Sequence, residues 1–339
     1  MILIRKILFP FAILYGFITS TRNFLYDKGF LKSYSFDLPV IAVGNLSVGG
    51  TGKTPQIEYL IRLLSENYKI ATLSRGYKRK SEGFVLADAN ANAEIIGDEP
   101  FQFYRKFKNI QVAVDADRRN GIEQLLSQSE KPDIILLDDA FQHRKVKAGF
   151  YILLTSYDDL FYNDFMLPTG NLRESRREAK RADVIIVTKC PITISEAEQK
   201  KIRDKIGTGK PIFFTYIDYD DAVFSNNKML DVNVVKTTDK ILLAGIAKPE
   251  PFFAYLQAAK NNTMVFPDHH NFTDEDIELV KEKAVNTMII TTEKDFVRLS
   301  GKLPEEQLFY LPIKSSFVKG ENDFNKTITD YVGKGSGNS

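Results

Sequence analysis

The segment SVGGTGKT, residues 47–54, has the residue types and spacing of a loop that binds the phosphates of a nucleotide. Its three glycines allow successive backbone N–H groups to face a polyphosphate, and the start of a following helix adds a favourable dipole. Lys53 is placed to reach the β- and γ-phosphates, and the hydroxyl of Thr54 is placed to ligate Mg²⁺. The predicted ATP contacts are Ser47, Gly49, Gly50, Thr51, Gly52, Lys53 and Thr54.

The loop departs from the usual Walker A pattern at its first position, where Ser47 stands in place of glycine. The flanks fit the pattern, because residues 38–43 form an apolar, β-branched run typical of a buried strand. Apolar residues then recur at helical spacing over residues 57–64. A glycine-rich turn with a chance Gly-Lys-Thr is the alternative, and the order strand, loop, helix argues against it.

A second motif lies at residues 133–139, DIILLDD, where an apolar run typical of a strand ends in two acidic residues. At the carboxyl edge of a parallel sheet, next to a Walker A loop, a carboxylate holds Mg²⁺ directly or through water. The sequence therefore predicts Thr54, Asp138 and Asp139 as the residues nearest to the metal. A strand that simply ends in two solvated acids is the alternative.

The sequence tests for a GTPase fail. A GTPase switch has glycine three residues after its Walker B aspartate, where this chain has Phe141 or Gln142. Guanine recognition places aspartate two residues after the lysine that Lys189 would represent, and Pro191 stands there. Residues 47–52 also lack the second lysine of polymer-associated ATPase switches. A metabolic phosphotransferase is favoured, and an ATPase switch or scaffold without a small-molecule acceptor is the alternative.

Composition limits the class of protein. With 339 residues, of which 43% are apolar, the chain is globular and long enough for two domains. The 46 basic and 44 acidic side chains nearly balance, which gives no support to nucleic-acid binding. The single cysteine, Cys190, excludes an internal disulfide and fits a reducing compartment.

Residues 7–19 are uncharged and mostly apolar, and they follow Arg5 and Lys6. No small-residue cleavage site follows, so a signal peptide is not indicated. The run is short for a bilayer span and contains Pro10. The residues alone leave two interpretations open, a helix buried against the domain and an interfacial helix whose basic flanks meet anionic lipid.

Several short, separated sequence motifs occur in a recognisable order. They are GNLSVGGTGKTP (44–55), LSRGYKRK (73–80), GDEP (97–100), DDAFQHR (138–144), LPTGNLRE (167–174), RAD (181–183) and DHHNF (268–272). In these motifs the chain resembles the tetraacyldisaccharide 4′-kinase family, the lipid A 4′-kinases, over about residues 1–313. The resemblance implies ATP-dependent phosphorylation of the 4′-hydroxyl of an acylated glucosamine disaccharide 1-phosphate at the cytoplasmic face of the Gram-negative inner membrane.

The resemblance also implies an α/β fold class, with two α/β/α domains of mainly parallel sheets, and it favours the interfacial interpretation of the first helix. The expected division is an interfacial helix over 1–30 and a P-loop kinase domain over 31–213. A smaller C-terminal α/β domain with a connecting β-ribbon follows over 214–332, and a disordered tail over 333–339. Bringing the two domains together would exclude water from the γ-phosphate.

By position, Asp98 matches the general base of the family and His269 matches its partner, with the adjacent His270 left open as the alternative. Asp98 and Glu99 precede Pro100, a good helix starter, and would lie at the positive end of that helix. A helix cap is therefore the alternative role of Asp98.

The remaining expected contacts are to the substrate. Of the basic residues at 173–181, Arg173 is the expected phosphate ligand, and a solvated helix face is the alternative for the others. The full expected set of substrate contacts is Arg75, Glu99, Gln142, His143 and Arg173.

Overall fold

The computed structural model describes residue 5 and residues 7–257, 262–268 and 270–336, with the backbone alone for residues 335 and 336. Within these ranges the chain forms a nine-stranded sheet and a six-stranded sheet. The nine-stranded sheet has the spatial order β15 (Ile313–Phe317), β8 (Ile212–Tyr219), β7 (Val184–Thr188), β6 (Phe150–Ser156), β1 (Val40–Asn45), β5 (Ile134–Asp138), β2 (Ile70–Ser74), β4 (Gln111–Val114) and β3 (Val85–Leu86).

The nine-stranded sheet is parallel except at its edges, where β15 and β3 run antiparallel to their neighbours. Strands β1, β2, β5 and β7 are buried along their whole length, as expected of a parallel sheet with helices on both faces. The helices around it are α2 (Lys53–Leu64), α3 (Ala93–Ile96), α4 (Asp98–Lys106), α5 (Arg118–Leu126), α6 (Glu196–Ile206) and α11 (Glu321–Ser336), with short 3₁₀ segments at Phe161–Asn163 and Arg176–Arg181.

The apolar residues of these helices form the core on each side of the sheet. Helices α2, α4 and α11 pack on one face, where Ile57, Phe103 and Phe324 are fully buried. Helices α5 and α6 pack on the opposite face through Ile122 and Ile202. The prediction of an α/β fold with a mainly parallel sheet is confirmed.

The six-stranded sheet has the order β10 (Met229–Asp231), β9 (Ala222–Phe224), β14 (Leu308–Leu311), β13 (Met288–Thr292), β11 (Lys240–Ala244) and β12 (Thr263–Val265). Its helices are α7 (Val232–Thr237), α8 (Glu250–Tyr255), α9 (Asp274–Lys283) and α10 (Glu293–Leu299). Helix α9 begins with a capping box between Thr273 and Asp276.

The chain passes between the sheets twice. It leaves the first sheet after β8 and returns in β15, and these two strands pair antiparallel in a ribbon. Residues 313–336 therefore lie with the first sheet, which differs from the expected assignment of 214–332 to the second unit. The reason is apolar burial, because Phe324, Ile328 and Val332 of α11 belong to the core of the first sheet.

The expected disordered tail over 333–339 is wrong for residues 333–336, which continue helix α11. Phe324, Ile328 and Val332 recur every fourth residue on one buried face, so the packed turns carry the helix past the glycine-rich sequence. Residues 337–339 lie outside the described part of the chain.

Near the N-terminus, helix α1 (Phe9–Asp27) buries only Ala12, Thr19 and Asn23. Its large apolar side chains are exposed, namely Phe9, Phe11, Ile13, Leu14, Phe17, Ile18 and Phe24. The buried-helix interpretation of residues 7–19 is therefore wrong. Among the described residues, no helix has the length and apolar character needed to cross a membrane.

Candidate active site

The loop between β1 and α2 has the predicted order of strand, glycine loop and helix. Gly49 has φ of 114° and Gly52 has φ of 81°, backbone conformations that glycine adopts without strain. The last residue of β7 and the residue after it fix the loop, because the Thr188 hydroxyl donates to the Thr51 carbonyl at 2.8 Å and Lys189 Nζ donates to the Gly50 carbonyl at 2.6 Å. The backbone of the loop is thus fixed by residues at the carboxyl end of β7.

Lys53 lies at the first position of α2 and faces the acid at the end of β5. Its Nζ is 3.8 Å from Asp139 Oδ1 and 3.5 Å from Asn45 Oδ1. Arg173 binds the same carboxylate in a bidentate pair, at 2.8 and 3.1 Å. Burial alone would raise the pKa of Asp139, but Lys53 and Arg173 outweigh it and lower the pKa to about 2. The structure thus brings Lys53, Asp139 and Arg173 together in one charged cluster.

Asp138 is the last residue of β5 and is buried. Its Oδ2 accepts a hydrogen bond from the Ser74 hydroxyl at 3.3 Å, whereas its buried Oδ1 has no partner among the described residues. Burial, and then the charge of Glu99, raise the pKa of Asp138 to about 7 against the opposing effect of Lys53. An unpaired, buried carboxylate oxygen beside a phosphate-binding loop is suited to a divalent cation.

Glu99 lies in the first turn of α4 and contacts the P-loop threonine. Thr54 Oγ1 donates to Glu99 Oε1 at 3.2 Å, and Lys294 Nζ donates to the same oxygen at 3.0 Å. Burial would raise the pKa of Glu99, but Lys294 and Lys53 lower it below its usual value. The sequence indicated a substrate contact for Glu99 and gave no signal for Lys294, which comes from α10 of the second sheet.

Asp98 begins α4 and pairs with Arg298 of α10, whose Nε donates to Asp98 Oδ2 at 2.9 Å and whose Nη2 donates to the same oxygen. His269, the expected partner of Asp98, lies outside the described residues. His270 is placed differently, because its Nε2 is 2.8 Å from Asp276 Oδ2 and its ring stacks on Phe266. The hydrogen bond of His270 is thus made within the second unit.

Gln142 and His143 follow the acidic pair. Gln142 Nε2 donates to the Asn45 carbonyl at 2.8 Å, which places this side chain at the end of β1. Burial, and then Arg118, lower the pKa of His143 to about 4, so the imidazole is neutral at physiological pH. The buried Nε2 of His143 has no hydrogen-bond partner within the described ranges.

Arg75 is exposed at an open cleft of about 530 Å³ beyond the end of β2. The lining includes Lys78 and Arg79 together with one acid, Glu82. Arg75 and Arg118 also contribute to the low pKa of His143, so positive charge extends from the cleft toward the acidic pair. Such a surface favours an anionic ligand.

Glu174 was not identified from the sequence as a site residue, although it stands next to Arg173. It is buried and accepts hydrogen bonds from Arg22 at 2.9 Å, from Asn23 at 3.0 Å and from Arg181 at 2.5 Å. It therefore attaches helix α1 to the segment that carries Arg173. The solvated-face interpretation fits the exposed residues Arg176, Arg177 and Lys180.

Within the described residues, no group of three or more His, Cys, Asp and Glu side chains is arranged to hold a metal ion. This finding is compatible with Mg²⁺ that arrives with a nucleotide, because such a site takes one or two protein ligands and fills the rest with phosphate oxygens and water.

Comparisons with known proteins agree along the whole chain. A family model described as tetraacyldisaccharide-1-P 4′-kinase matches residues 4–333. The chain is 70% identical over 333 residues to the tetraacyldisaccharide 4′-kinase of Flavobacterium psychrophilum, covering 97% of both chains. It is 65% identical over 332 residues to that of Flavobacterium johnsoniae, covering 97% of this chain and 98% of the relative. LpxK from Aquifex aeolicus in complex with ATP has the same fold, with a TM-score of 0.79 at 32% identity over 97% of this chain and 99% of that chain. This chain therefore belongs to the tetraacyldisaccharide 4′-kinase family.

Proposed function

We propose that this protein transfers the γ-phosphoryl group of ATP to the 4′-hydroxyl of a tetraacylated glucosamine disaccharide 1-phosphate. The product is the bis-phosphorylated lipid A precursor of lipopolysaccharide biosynthesis, lipid IVA. The observation that carries the proposal is a family match over residues 4–333. Within that range, Lys53, Asp139 and Arg173 form one charged cluster behind the glycine loop.

Mg²⁺ fits this site, since Asp138 presents an unpaired buried oxygen and Thr54 presents its hydroxyl at the start of α2. Thr54 and Asp138 would hold the ion, with Asp139 beside them. When bound with ATP, the metal would neutralise negative charge on the β- and γ-phosphate oxygens.

The protein side chains supply the remaining positive charge. Lys53 is held between Asn45 and Asp139 beside the loop, and its ammonium group would bind the β- and γ-phosphates there. Arg173 is fixed by two hydrogen bonds to Asp139, so its planar guanidinium is preorganised for a phosphate. Both cations would stabilise the transferred group without rearranging.

Asp98 is the proposed general base, with His269 as its partner. In the reaction the 4′-oxygen bonds to the γ-phosphorus, the bond from that phosphorus to the bridging oxygen breaks, and ADP leaves. The hydroxyl proton passes to Asp98. Because Arg298 occupies one oxygen of Asp98 here, the acceptor hydroxyl would approach the other oxygen or replace Arg298. Each sheet with its helices would act as one domain. Closure of the two domains would bring His269 toward Asp98.

The acceptor would enter from the side of the basic cleft. Arg75 and the neutral imidazole of His143 are suited to the phosphate and hydroxyl groups of a disaccharide 1-phosphate. The exposed apolar residues of α1 are suited to the acyl region of a membrane, with Arg5 and Lys28 near the ends of the helix. The protein would then act as a peripheral enzyme at the cytoplasmic face of the inner membrane.

The experiment is to follow ADP release with and without the acceptor glycolipid. The proposal expects release that depends on the glycolipid. Release that is equal without the glycolipid, or that responds only to a protein or polymer, would favour the alternative of an ATPase switch or scaffold.

A further inference from the structure

Helix α10 connects the second sheet to the nucleotide site of the first. It packs along α4, and three of its side chains pair with residues of that helix. Glu293 accepts a hydrogen bond from Lys106 at 2.6 Å, Lys294 donates to Glu99 at 3.0 Å, and Arg298 pairs with Asp98. Among these pairs, the one made by Lys294 is linked through Glu99 directly to the phosphate-binding loop.

The link depends on one carboxylate oxygen. Glu99 Oε1 accepts hydrogen bonds from Thr54 Oγ1 and from Lys294 Nζ. When the threonine hydroxyl gives its hydrogen to Glu99, its oxygen lone pairs turn away from Glu99 and remain free to bind a cation. A lysine that fixes Glu99 therefore also fixes the direction in which Thr54 can bind a metal ion.

Helix geometry alone does not hold the Glu99 side chain in place, because a glutamate side chain has several rotamers and this one is 31% exposed. Lys294 is the second residue of α10, which directly follows β13, so its backbone belongs to a helix of the second sheet. The second sheet thus contributes a charged side chain two hydrogen bonds away from the oxygen of Thr54.

From this geometry we propose that Lys294 is a positioning residue. It orients Glu99 and, through Glu99, the Thr54 hydroxyl, so that the second sheet sets the Mg²⁺ dependence of nucleotide binding. The inference rests on the proposed function, because it concerns the Mg²⁺-nucleotide site of the kinase. Lys294 is not proposed to touch the reacting atoms.

The opposite interpretation is that Lys294 only joins the two sheets. Lys248 provides a matched control, because its Nζ is 2.8 Å from Asp158 and this ion pair also connects the segments that carry the two sheets. The pair formed by Lys248 is exposed and does not involve Thr54 or Glu99. A purely adhesive role predicts that loss of either lysine lowers stability, less for the more exposed Lys248 pair, and leaves the Mg²⁺ dependence of analogue binding unchanged.

The test uses the full chain and a non-hydrolysable ATP analogue, with binding followed by calorimetry in EDTA and over a series of Mg²⁺ concentrations. In Mg²⁺, Lys294→Met is expected to weaken analogue binding roughly tenfold, the lower end of the effect of losing a residue that supports a metal ligand. In EDTA the same variant should bind the analogue as the wild type does. Lys294→Arg should restore most of the affinity, and Lys248→Met should leave the Mg²⁺ dependence unchanged.

A double-mutant cycle adds a second measurement. Lys294→Met and Glu99→Gln should have a combined effect close to that of either variant alone, because both break the same chain of hydrogen bonds. If Lys294→Met lowers the melting temperature but leaves the Mg²⁺ dependence of wild type, the positioning role is wrong. If the wild type shows no Mg²⁺-dependent binding at all, the proposed function fails, and the inference fails with it.

Discussion

Arg298, on helix α10 of the second sheet, forms an ion pair with Asp98, the residue at which helix α4 of the first sheet begins. The two residues are 200 positions apart in the sequence. The acid proposed to accept the proton of the 4′-hydroxyl therefore already has a cation beside it. The position of the second sheet is consequently linked, through Arg298, to the carboxylate of Asp98.

Asp98→Asn tests the proposed base. A positioned carboxylate that accepts a hydroxyl proton contributes about 10²- to 10⁴-fold in rate, so kcat should fall by that factor while nucleotide affinity changes little. Measuring kcat and the Kd of the ATP analogue separates these effects. Asp274→Asn, in the first turn of α9, is a control that should change neither. A variant that mainly weakens Mg²⁺-ATP binding would assign Asp98 to the metal site or to a helix cap.

Lys53→Ala tests the phosphate-binding loop. Loss of the ammonium group should abolish detectable turnover without lowering the melting temperature appreciably, because the side chain faces the ligand space and two polar neighbours. Lys200→Ala, on the exposed side of α6, should retain full turnover. Retained kinase activity in Lys53→Ala would remove the Walker A assignment.

Helix α1 provides a test of membrane association. Phe11 and Phe17 are 61% and 69% exposed, so replacing both by glutamate should leave the melting temperature unchanged. The variant should sediment less with anionic lipid vesicles and lose more activity on bilayers than in detergent. Replacing both Leu279 and Val285, which are exposed in and just after α9, by glutamate introduces the same charge, and this variant should sediment as wild type. Unchanged sedimentation of the double variant would contradict the interfacial role.

Glu174 is expected to be a major contributor to the attachment of helix α1. Its side chain is 1% exposed and binds Arg22, Asn23 and Arg181, so Glu174→Ala leaves these donors without their shared acceptor. We expect a loss of about 2–3 kcal/mol in the free energy of unfolding, below the range for a fully buried pair because Arg22 is partly exposed. Urea denaturation measures this loss, and a change below about 0.5 kcal/mol, the level of ordinary surface substitutions, would contradict it.

His143 predicts a pH dependence of stability. Burial, followed by Arg118, lowers its pKa in the folded protein from 6.5 to about 4, with smaller effects of Asp117, Lys145 and Arg75. Between these values the unfolded chain binds more protons, so stability should fall as pH decreases from about 6.5 toward 4.

At about pH 5 the loss should be on the order of 1 kcal/mol once solvent screening of this half-buried ring is considered. Comparing wild type with His143→Gln by urea denaturation at about pH 7 and about pH 5 isolates this contribution. Equal losses in the two proteins would show that His143 does not contribute.

The parts of the site that could be predicted are those encoded by neighbouring residues. The loop at 47–54 lies between a strand and a helix that its own flanks specify, and the acids at 138 and 139 end a strand with a clear apolar pattern. The capping box of Thr273 and Asp276 likewise joins residues three positions apart. In each case the determining interactions lie within a few residues.

The parts that could not be predicted depend on distant contacts. Lys294 and Glu99 are 195 positions apart, and no local pattern indicates that α10 packs on α4. The return of residues 313–336 to the first sheet depends on burial of Phe324 and Ile328 in a core made by earlier strands. The sequence alone, with glycines at positions 333, 335 and 337, predicted disorder from residue 333 onward.

Identification of the lipid product is the most direct test of the proposed phosphorylation at the 4′-hydroxyl. Purified protein, ATP and Mg²⁺ are incubated with the tetraacylated disaccharide 1-phosphate, and the lipid is examined by mass spectrometry and phosphorus NMR. We expect one added phosphoryl group, attached as a monoester at the 4′ position, and none added by Lys53→Ala. A lipid recovered unchanged while ATP is hydrolysed, or a phosphoryl group found at another position, would contradict it.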